Sequence, residues 1–171
     1  MRYTYCPDCG KPLIPRQLGD EGLVPWCEGC QRPWFDTFST CIIVAVMNTD
    51  GQVLLQRERR RPEMEVLVAG FIKPGDTAED TVRREIAEET GLIATSLRYV
   101  ASYPHMGGNM LMLGYCAQAK GALHPSEREI LSARWCTVEE AIAALKQGSI
   151  AQQVVQAVAA NAKNCREICK S

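Results

Sequence analysis

Three glutamates, Glu85, Glu88 and Glu89, stand at positions i, i+3 and i+4 of a segment with helical periodicity. This spacing brings side chains together on one face of a helix. At about 100° per residue, Glu89 falls within about 40° of Glu85, on the side of the apolar Val82 and Ile86. Carboxylates on a core-facing side need a counter-charge, because burial removes their hydration. Mg²⁺ or Mn²⁺ supplies that charge and also binds phosphates. The alternative is a solvated helix face with i,i+4 ion pairs.

The segments around these glutamates predict a mixed α/β domain. We expect a loop at residues 70–76 that feeds a helix from Thr77 to Thr90, with Gly91 ending it. A buried strand at 40–47 turns at 48–51 into a second strand at 52–57. The other expected elements are strands at 66–68, 97–103, 110–117 and 133–136, a helix after the capping box at Thr137, and a helix over 149–165. These elements predict a mainly antiparallel or mixed sheet.

Two connecting segments have compositions that suggest different roles. The basic segment 57–62 is expected to be a solvated loop, with phosphate contact as the alternative. The segment 104–109 is rich in glycine and is expected to be a long flexible connection between two strands.

Four of the nine cysteines form two Cys-x-x-Cys pairs, Cys6 with Cys9 and Cys27 with Cys30. The intervening residues 10–26 give the spacing of paired zinc-binding motifs. Four thiolates complete a tetrahedron around Zn²⁺ and leave no position for water, so we predict one structural zinc. The alternatives are two disulfides or four unrelated thiols. Residues 1–36 hold few aliphatic side chains and would depend on the metal to fold. We therefore predict a zinc ribbon at 1–36 and a main domain at 37–171.

The composition of the whole chain narrows the partners. Its 171 residues are 46% hydrophobic and carry a formal net charge of −1. This charge gives no bulk reason to expect nucleic acid or an acidic membrane as a partner. We find no signal-peptide pattern and no apolar run approaching the roughly 18 residues of a membrane span. The expected location is the cytoplasm, with no membrane contact and nucleic acid unlikely.

Residues 70–92 resemble the signature of the Nudix hydrolases, a family with an α/β/α sandwich fold. The matching positions are Gly70-(x5)-Asp76-(x7)-Arg84-Glu85-Ile86-x-Glu88-Glu89-x-Gly91-Leu92. The chain departs from this signature at one position, where Asp76 replaces the family's glutamate. The resemblance implies that the residue at position 76 pairs with Arg84, and that the shorter Asp76 pairs more weakly.

A second resemblance covers nearly the full chain. The four-cysteine ribbon, followed by residues 41–45 and then 67–71, is similar to the C-terminal two thirds of the NADH pyrophosphatase branch of Nudix enzymes. This resemblance implies a homodimer. It also implies that Glu129, which lies upstream of Ala133-Arg134-Trp135, is a metal ligand. Ala151 falls in the late segment that contacts substrate in that branch.

The substrate-contacting residues depart from this branch. Where the branch has Ser-Gln-Pro-Trp, this chain has Ser102-Tyr103-Pro104-His105, so the indole is missing. We expect the segment from Tyr103 to Met110 to decide the substrate. Phe35 and Phe71 are further candidates for stacking on a base, with core packing as the alternative. His105 is a candidate general base, with an exposed loop histidine as the alternative.

The resemblance implies a metal-dependent hydrolase that cleaves the pyrophosphate bond of a nucleoside diphosphate linked to another moiety. An NAD(H)-type dinucleotide is the first candidate substrate, and ADP-ribose or FAD come next. Glu85, Glu89, Glu129 and the carbonyl oxygen of Ala69 would hold Mg²⁺ or Mn²⁺ ions, while Arg84 pairs with a neighbouring acid. Glu85, Glu88 and Glu129 are all candidates for the base. The hypothesis from another class is a non-catalytic nucleotide-sensing or RNA-binding module that uses the ribbon.

Overall fold

The structure is a computed structural model, and it describes residues 3–161. The chain divides into two compact units, Met1–Phe38 and Ser39–Ser171. The predicted end of the last helix, residues 162–165, lies outside the described residues. Over residues 3–161, no helix is both long enough and apolar enough to cross a membrane.

The first unit is a small antiparallel sheet with very little apolar core. Its strands β1 (Ile14–Gln17), β2 (Leu23–Cys27) and β3 (Arg32–Pro33) are arranged in the order β1-β2-β3. A short 3-10 turn, Gly19–Glu21, connects the first two strands. In the described part of this unit, the buried hydrophobic residues are Cys6, Val24 and Cys27. Two of the three are cysteines, so apolar burial contributes little to its stability.

The second unit contains a seven-stranded mixed sheet with the central order β10-β5-β4-β9-β8. Strand β6 is added beside β5, and β7 beside β4. The parallel pair is β4 with β9, and the other pairs are antiparallel. The strands are β4 (Ser39–Met47), β5 (Val53–Glu58), β6 (Arg61–Val66), β7 (Val68–Phe71), β8 (Ile93–His105), β9 (Met110–Lys120) and β10 (Ile130–Cys136).

Helices cover both faces of this sheet. Helix α1 (Ala78–Thr90) packs on one face through Val82 and Ile86. Helices α2 (Val138–Ala144) and α3 (Ile150–Ala160) pack on the other face. Strand β4 serves both cores, because alternate side chains of a strand point to opposite faces. The α/β/α sandwich with a mixed sheet, predicted as the fold class, is confirmed.

The helix predicted from Thr77 to Gly91 has the expected boundaries. The side chain of Thr77 accepts a hydrogen bond from the backbone N–H of Asp80 at 3.1 Å and caps the first turn. Gly91 adopts a left-handed conformation with φ of 72°, and its N–H donates to the carbonyl of Ala87. Helix α2 begins with the predicted capping box, formed by Thr137 and Glu140.

Two predicted loops were wrong, because strand pairing extends into them. Residues 61–66 form β6, which pairs with β5, so the predicted basic loop shrinks to a turn at residues 59–60. Strand β8 continues through Pro104 to His105, and a 3-10 turn at Met106–Gly108 leads directly into β9. Pro104 is compatible with a strand here because β8 is at the edge of the sheet.

Candidate active site

One pocket of the second unit, with a volume of about 310 Å³, is lined by all four predicted catalytic carboxylates. Its walls come from the last turns of α1 and from the turn that precedes β10. The lining residues are Glu85, Glu88, Glu89, Ser126, Arg128 and Glu129.

Backbone hydrogen bonds hold the turn before β10 against its neighbours. The N–H of Ser126 donates to the carbonyl of Glu89 at 2.9 Å, which ties this turn to the end of α1. The carbonyl of Glu129 accepts from the N–H of Arg59 at 2.9 Å, and the side chain of Arg59 donates to the carbonyl of Glu127 at 2.6 Å. Glu129 is therefore positioned by contacts with both α1 and the β5–β6 turn.

Glu89 is the most buried carboxylate of the pocket and is 7% exposed. It lies on the core-facing stripe of α1, three residues after Ile86 and seven after Val82. Its carboxylate accepts a hydrogen bond from the side-chain amide of Gln56. Burial raises the pKa of Glu89 to about 7, although the hydrogen bond from Gln56 opposes the shift. The protein thus keeps a poorly hydrated carboxylate beside the pocket, where a cation would stabilise its charged form.

Glu85 occupies a narrow space between α1 and β7. Its side chain is 13% exposed, and burial raises its pKa, while the hydrogen bond from Arg84 at 2.7 Å opposes that shift. A Cβ built on Gly70 would clash with the carboxylate of Glu85. The glycine of the signature therefore makes room for the functional group of the helix.

Arg84 connects the loop after β7 to the carboxylates of α1. Its guanidinium lies 2.7 Å from Glu85 and 3.3 Å from Glu88, and it donates to the carbonyl of Phe71 at 3.3 Å. The pairing with Asp76 that the family signature implies has the longest distance of the set, 3.7 Å. Arg84 thereby fixes Glu85 and Glu88 relative to the loop.

The donor set of the pocket fits a hard divalent cation, because its carboxylate oxygens are the ligands that Mg²⁺ and Mn²⁺ prefer. The glycine cradle at position 70, which places Glu85 against the backbone of β7, supports the fit. The carboxylates surround the pocket instead of converging on one point. Over residues 3–161, the one group of three or more potential ligands within 4.8 Å of one another is formed by Cys6, Cys9, Cys27 and Cys30 of the first unit, and not by these carboxylates.

The predicted substrate-contacting residues of β8 and β9 have structural contacts of their own. The ring of Tyr103 packs into the core on the α2 and α3 side of the sheet, against Gly114. His105 ends β8, and its Nδ1 accepts a hydrogen bond from the N–H of Gly108 at 2.9 Å, which caps the 3-10 turn. Met110 begins β9 opposite His105, and its sulfur lies 3.5 Å from the thiol of Cys41.

The remaining candidates are dispersed. Ala69 lies on β7 beside Gly70, opposite Ile43 of β4. Phe71 ends the same strand and is 58% exposed, so its ring is open to a ligand. Ala151 lies in the first turn of α3 and packs against the core beneath that helix. Phe35 belongs to the first unit and is 46% exposed.

Sequence reasoning missed several residues of the site. Ser126 and Arg128 line the pocket, yet no periodicity or motif distinguishes their segment. Gln56 carried a usable signal, since it is a polar residue that directly follows the buried run Val53–Leu55. A polar residue at the end of such a run needs a partner, and here the partner is Glu89.

The predicted cysteine ligands meet in the first unit. The sulfur atoms of Cys6, Cys9, Cys27 and Cys30 all lie within 4.8 Å of one another. Cys6 and Cys30 are 3.8 Å apart, and Cys9 and Cys27 are 3.5 Å apart. Tetrahedral Zn²⁺ with bonds of about 2.3 Å to sulfur separates its ligands by about 3.8 Å. The four thiols therefore fit one four-coordinate zinc ion.

A mixed-sheet α/β/α sandwich, with a glycine loop feeding a carboxylate-bearing helix, defines the class of domain. The family model for the NUDIX domain matches residues 37–158. The chain belongs to the Nudix family, so the predicted family is confirmed.

Individual relatives resemble the chain along most of its length. The NAD-capped RNA hydrolase NudC of Vibrio cholerae is 32% identical over 153 residues, which cover 89% of this chain and 56% of that protein. The NudC of Photobacterium profundum is 30% identical over 166 residues, which cover 96% of this chain and 61% of that protein. The chain thus spans 56% and 61% of the length of these curated relatives.

A solved structure supports the fold. The crystal structure of a Nudix hydrolase from Nitrosomonas europaea superposes with a TM-score of 0.73 and covers 95% of this chain and 93% of its own. Its sequence identity is 18%, so the likeness concerns the fold alone.

Proposed function

We propose that the protein is a metal-dependent hydrolase that cleaves the pyrophosphate bond of a nucleoside diphosphate linked to another moiety. The supporting observation is that carboxylates from two distant segments line one pocket. Glu85, Glu88 and Glu89 come from α1, and Glu129 comes from the turn before β10. Carboxylates that line one pocket repel one another, and a bound cation would compensate that repulsion.

Glu85, Glu89 and Glu129 would hold the divalent ions, with the carbonyl oxygen of Ala69 as a further oxygen donor. When bound, Mg²⁺ or Mn²⁺ supplies positive charge for the diphosphate oxygens and makes water a better nucleophile. Arg84 holds Glu85 and Glu88 in place through its contacts at 2.7 and 3.3 Å. Proton transfer from the attacking water falls to Glu85, Glu88 or Glu129, and Glu88 is the most accessible carboxylate paired with Arg84, with a side chain that is 59% exposed.

For the substrate, we propose an NAD(H)-type dinucleotide first, with ADP-ribose and FAD as alternatives. The two NudC relatives named above are NAD-capped RNA hydrolases. We therefore add the NAD group at the 5′ end of an RNA to the candidate substrates. The exposed ring of Phe71, beside the Arg84 contact, offers a surface on which a base can stack. We also propose the structural zinc that the Cys-x-x-Cys spacing predicts and the homodimer that the sequence resemblance implies.

The test is a hydrolysis assay with NADH, NAD⁺, ADP-ribose, FAD and NAD-capped RNA, each with Mg²⁺ or Mn²⁺. We expect a mononucleotide product, or a 5′-monophosphate RNA, from at least one of them. Glu85→Gln and Glu89→Gln should each reduce the rate at least about 100-fold, because they remove charged ligands without changing side-chain size. Glu139→Gln, on the exposed first turn of α2, is the matched control and should keep the wild-type rate.

Two outcomes would overturn this function. One is the absence of hydrolysis with every substrate, and the other is full activity in both α1 variants. Nucleotide or RNA binding without hydrolysis would favour the non-catalytic module instead.

A further inference from the structure

Gln56 is a buried polar residue that neither the signature nor the proposed mechanism uses. It lies in β5 and is 1% exposed. Leu54, two residues earlier, belongs to the core under α1. Because side chains alternate along a strand, Gln56 points to the same face as Leu54. It therefore points toward α1, where it meets Glu89.

The contact between Gln56 and Glu89 uses one end of the amide. The side-chain nitrogen Nε2 of Gln56 donates to Oε2 of Glu89. The other end, Oε1 of Gln56, is buried and has no hydrogen-bond partner within the described residues. A buried acceptor without a partner is costly. A contribution to stability alone therefore does not explain a glutamine at this position. A functional role for the hydrogen bond that its Nε2 donates to Glu89 does explain it.

The neutral amide of Gln56 is also a suitable partner for Glu89 if Glu89 is a metal ligand. No cation forms an ion pair with Glu89 among residues 3–161. The nearby Arg60 instead donates two hydrogen bonds to Glu58, at 2.6 and 2.9 Å. A neutral amide fixes the direction of a carboxylate and leaves its negative charge available, whereas a guanidinium in the same place would compete with a metal ion.

We propose that Gln56 is a positioning residue, which holds Oε2 of Glu89 so that Oε1 of Glu89 is presented to the divalent ion in the pocket. This inference rests on the proposed function, because it assigns a supporting residue to the same site. Gln56 acts through Glu89 and touches neither substrate nor the reacting atoms. Its loss weakens the binding of the ion before it affects any other step.

The direct test is Mn²⁺ binding to the whole 171-residue chain without substrate, in which the EPR signal of free Mn²⁺ is measured. Gln56→Met keeps the length of the side chain and removes the amide, and we expect Mn²⁺ affinity to fall about 10- to 100-fold. Gln56→Asn keeps the amide but is shorter by one methylene, so it should lose affinity similarly because it no longer reaches Glu89. Affinity within twofold of wild type in both variants would overturn the proposal.

A matched control separates positioning from general destabilisation. Thr81 is fully buried in α1, and its hydroxyl donates to the carbonyl of Thr77 at 3.0 Å. Thr81→Val also removes one buried hydrogen bond, but at the opposite end of the helix from Glu89. We expect this variant to lose thermal stability and to keep wild-type Mn²⁺ affinity. An equal loss of affinity in Thr81→Val would show that Gln56 acts only through stability.

Hydrolysis provides a second readout of the positioning role. Saturating Mn²⁺ should restore most of the activity of Gln56→Met, whereas it should not restore Glu89→Gln. A protein that hydrolyses no substrate of the panel would refute the proposed function, while the Mn²⁺ comparison would still decide the role of Gln56. A wild-type protein that binds no Mn²⁺ in this pocket would overturn the inference as well.

Discussion

The backbone of Gly70 lies directly against the carboxylate of Glu85, and a Cβ at position 70 would clash with that carboxylate. The requirement for glycine is spatial here, because its φ does not lie in the left-handed region. Strand β7 and helix α1 can approach this closely only where no side chain intervenes. The glycine that starts the family signature is thus explained by a contact with a glutamate fifteen residues later.

Gly70→Ala should therefore displace Glu85 and reduce kcat/KM about 100-fold, since misplacing a catalytic group by about 1 Å has effects of this size. The measurement is steady-state hydrolysis of the best substrate from the panel. The control is Glu139→Gln, on the exposed first turn of α2, which has no role in the proposed site. That variant should stay within about twofold of wild type. Normal activity in Gly70→Ala would mean that Glu85 works equally well in a different position.

The burial of Glu89 predicts that the free energy of unfolding of the protein without a divalent ion decreases as the pH rises. Its pKa is raised to about 7, so between about pH 4.5 and 7 the folded protein binds more protons at this site than the unfolded chain does. The stabilising contribution is present at low pH and is lost as the pH rises through 7. A shift of this size corresponds to at most about 3 kcal/mol.

Glu89→Gln should remove this dependence and stabilise the protein at pH 8 by about 1–3 kcal/mol when no divalent ion is bound at the pocket. Chemical denaturation at pH 5 and pH 8, with the zinc retained, provides the measurement. Glu88→Gln is the control, because the side chain of Glu88 is 59% exposed and its replacement should have a much smaller effect. Equal stability of wild type and Glu89→Gln at pH 8 would contradict this explanation.

Local signals in the sequence were sufficient to predict α1 and the placement of its carboxylates. Thr77 and Gly91 mark the helix ends through capping chemistry that involves only neighbouring residues. The periodicity of Val82 and Ile86 orients the helix, and this orientation places Glu89 on the buried side. Spacing alone also indicated the cysteine ligands, because each Cys-x-x-Cys pair is a local turn.

Contacts between distant segments could not be predicted in the same way. Gln56 meets Glu89 only because β5 lies beneath α1, and the sequence does not specify the order of the strands. Strand β6 was missed because none of its residues is buried and half of them are charged, which is typical of a loop as well as of an edge strand. Arg128 and Ser126 reach the pocket through backbone hydrogen bonds of their turn, which leave no pattern of side chains.

The cysteine cluster predicts that the first unit depends on its metal. Cys27→Ser should lower the zinc content from about one ion per chain to less than about 0.1, since one thiolate of four is lost. The residues of this unit should then become sensitive to proteolysis, because few apolar side chains are buried there. Zinc analysis and mass mapping of cleavage sites provide the measurements.

Cys136→Ala is the matched control for the cysteine experiment. Cys136 is 1% exposed and lies in β10 of the second unit, so its replacement changes a buried thiol without touching the cluster. Zinc content should stay at the wild-type value in this variant. Full zinc occupancy in Cys27→Ser would show that three cysteines suffice or that the metal is bound elsewhere.

Asp76 is the position where the chain departs from the family signature. Its carboxylate lies 3.7 Å from the guanidinium of Arg84. Asp76→Glu adds one methylene and should shorten this ion pair. Both side chains are partly exposed, so the gain in the free energy of unfolding should be modest, about 0.3–1 kcal/mol. Asp76→Asn should change stability in the opposite direction. Urea denaturation of the three proteins tests the order, and a less stable Asp76→Glu would refute the proposed pairing.

His105 has a structural contact that explains a histidine at the end of β8 without a catalytic role. Its Nδ1 accepts from the N–H of Gly108 and caps the turn that joins β8 to β9. His105→Asn can provide an equivalent acceptor, so we expect kcat within about threefold of wild type and an unchanged pH profile. His105→Ala should cost about 1 kcal/mol of stability through loss of the cap. A general base would instead lose about 10²- to 10⁴-fold in kcat in both variants, and a loss of that size would reassign His105 to the chemistry.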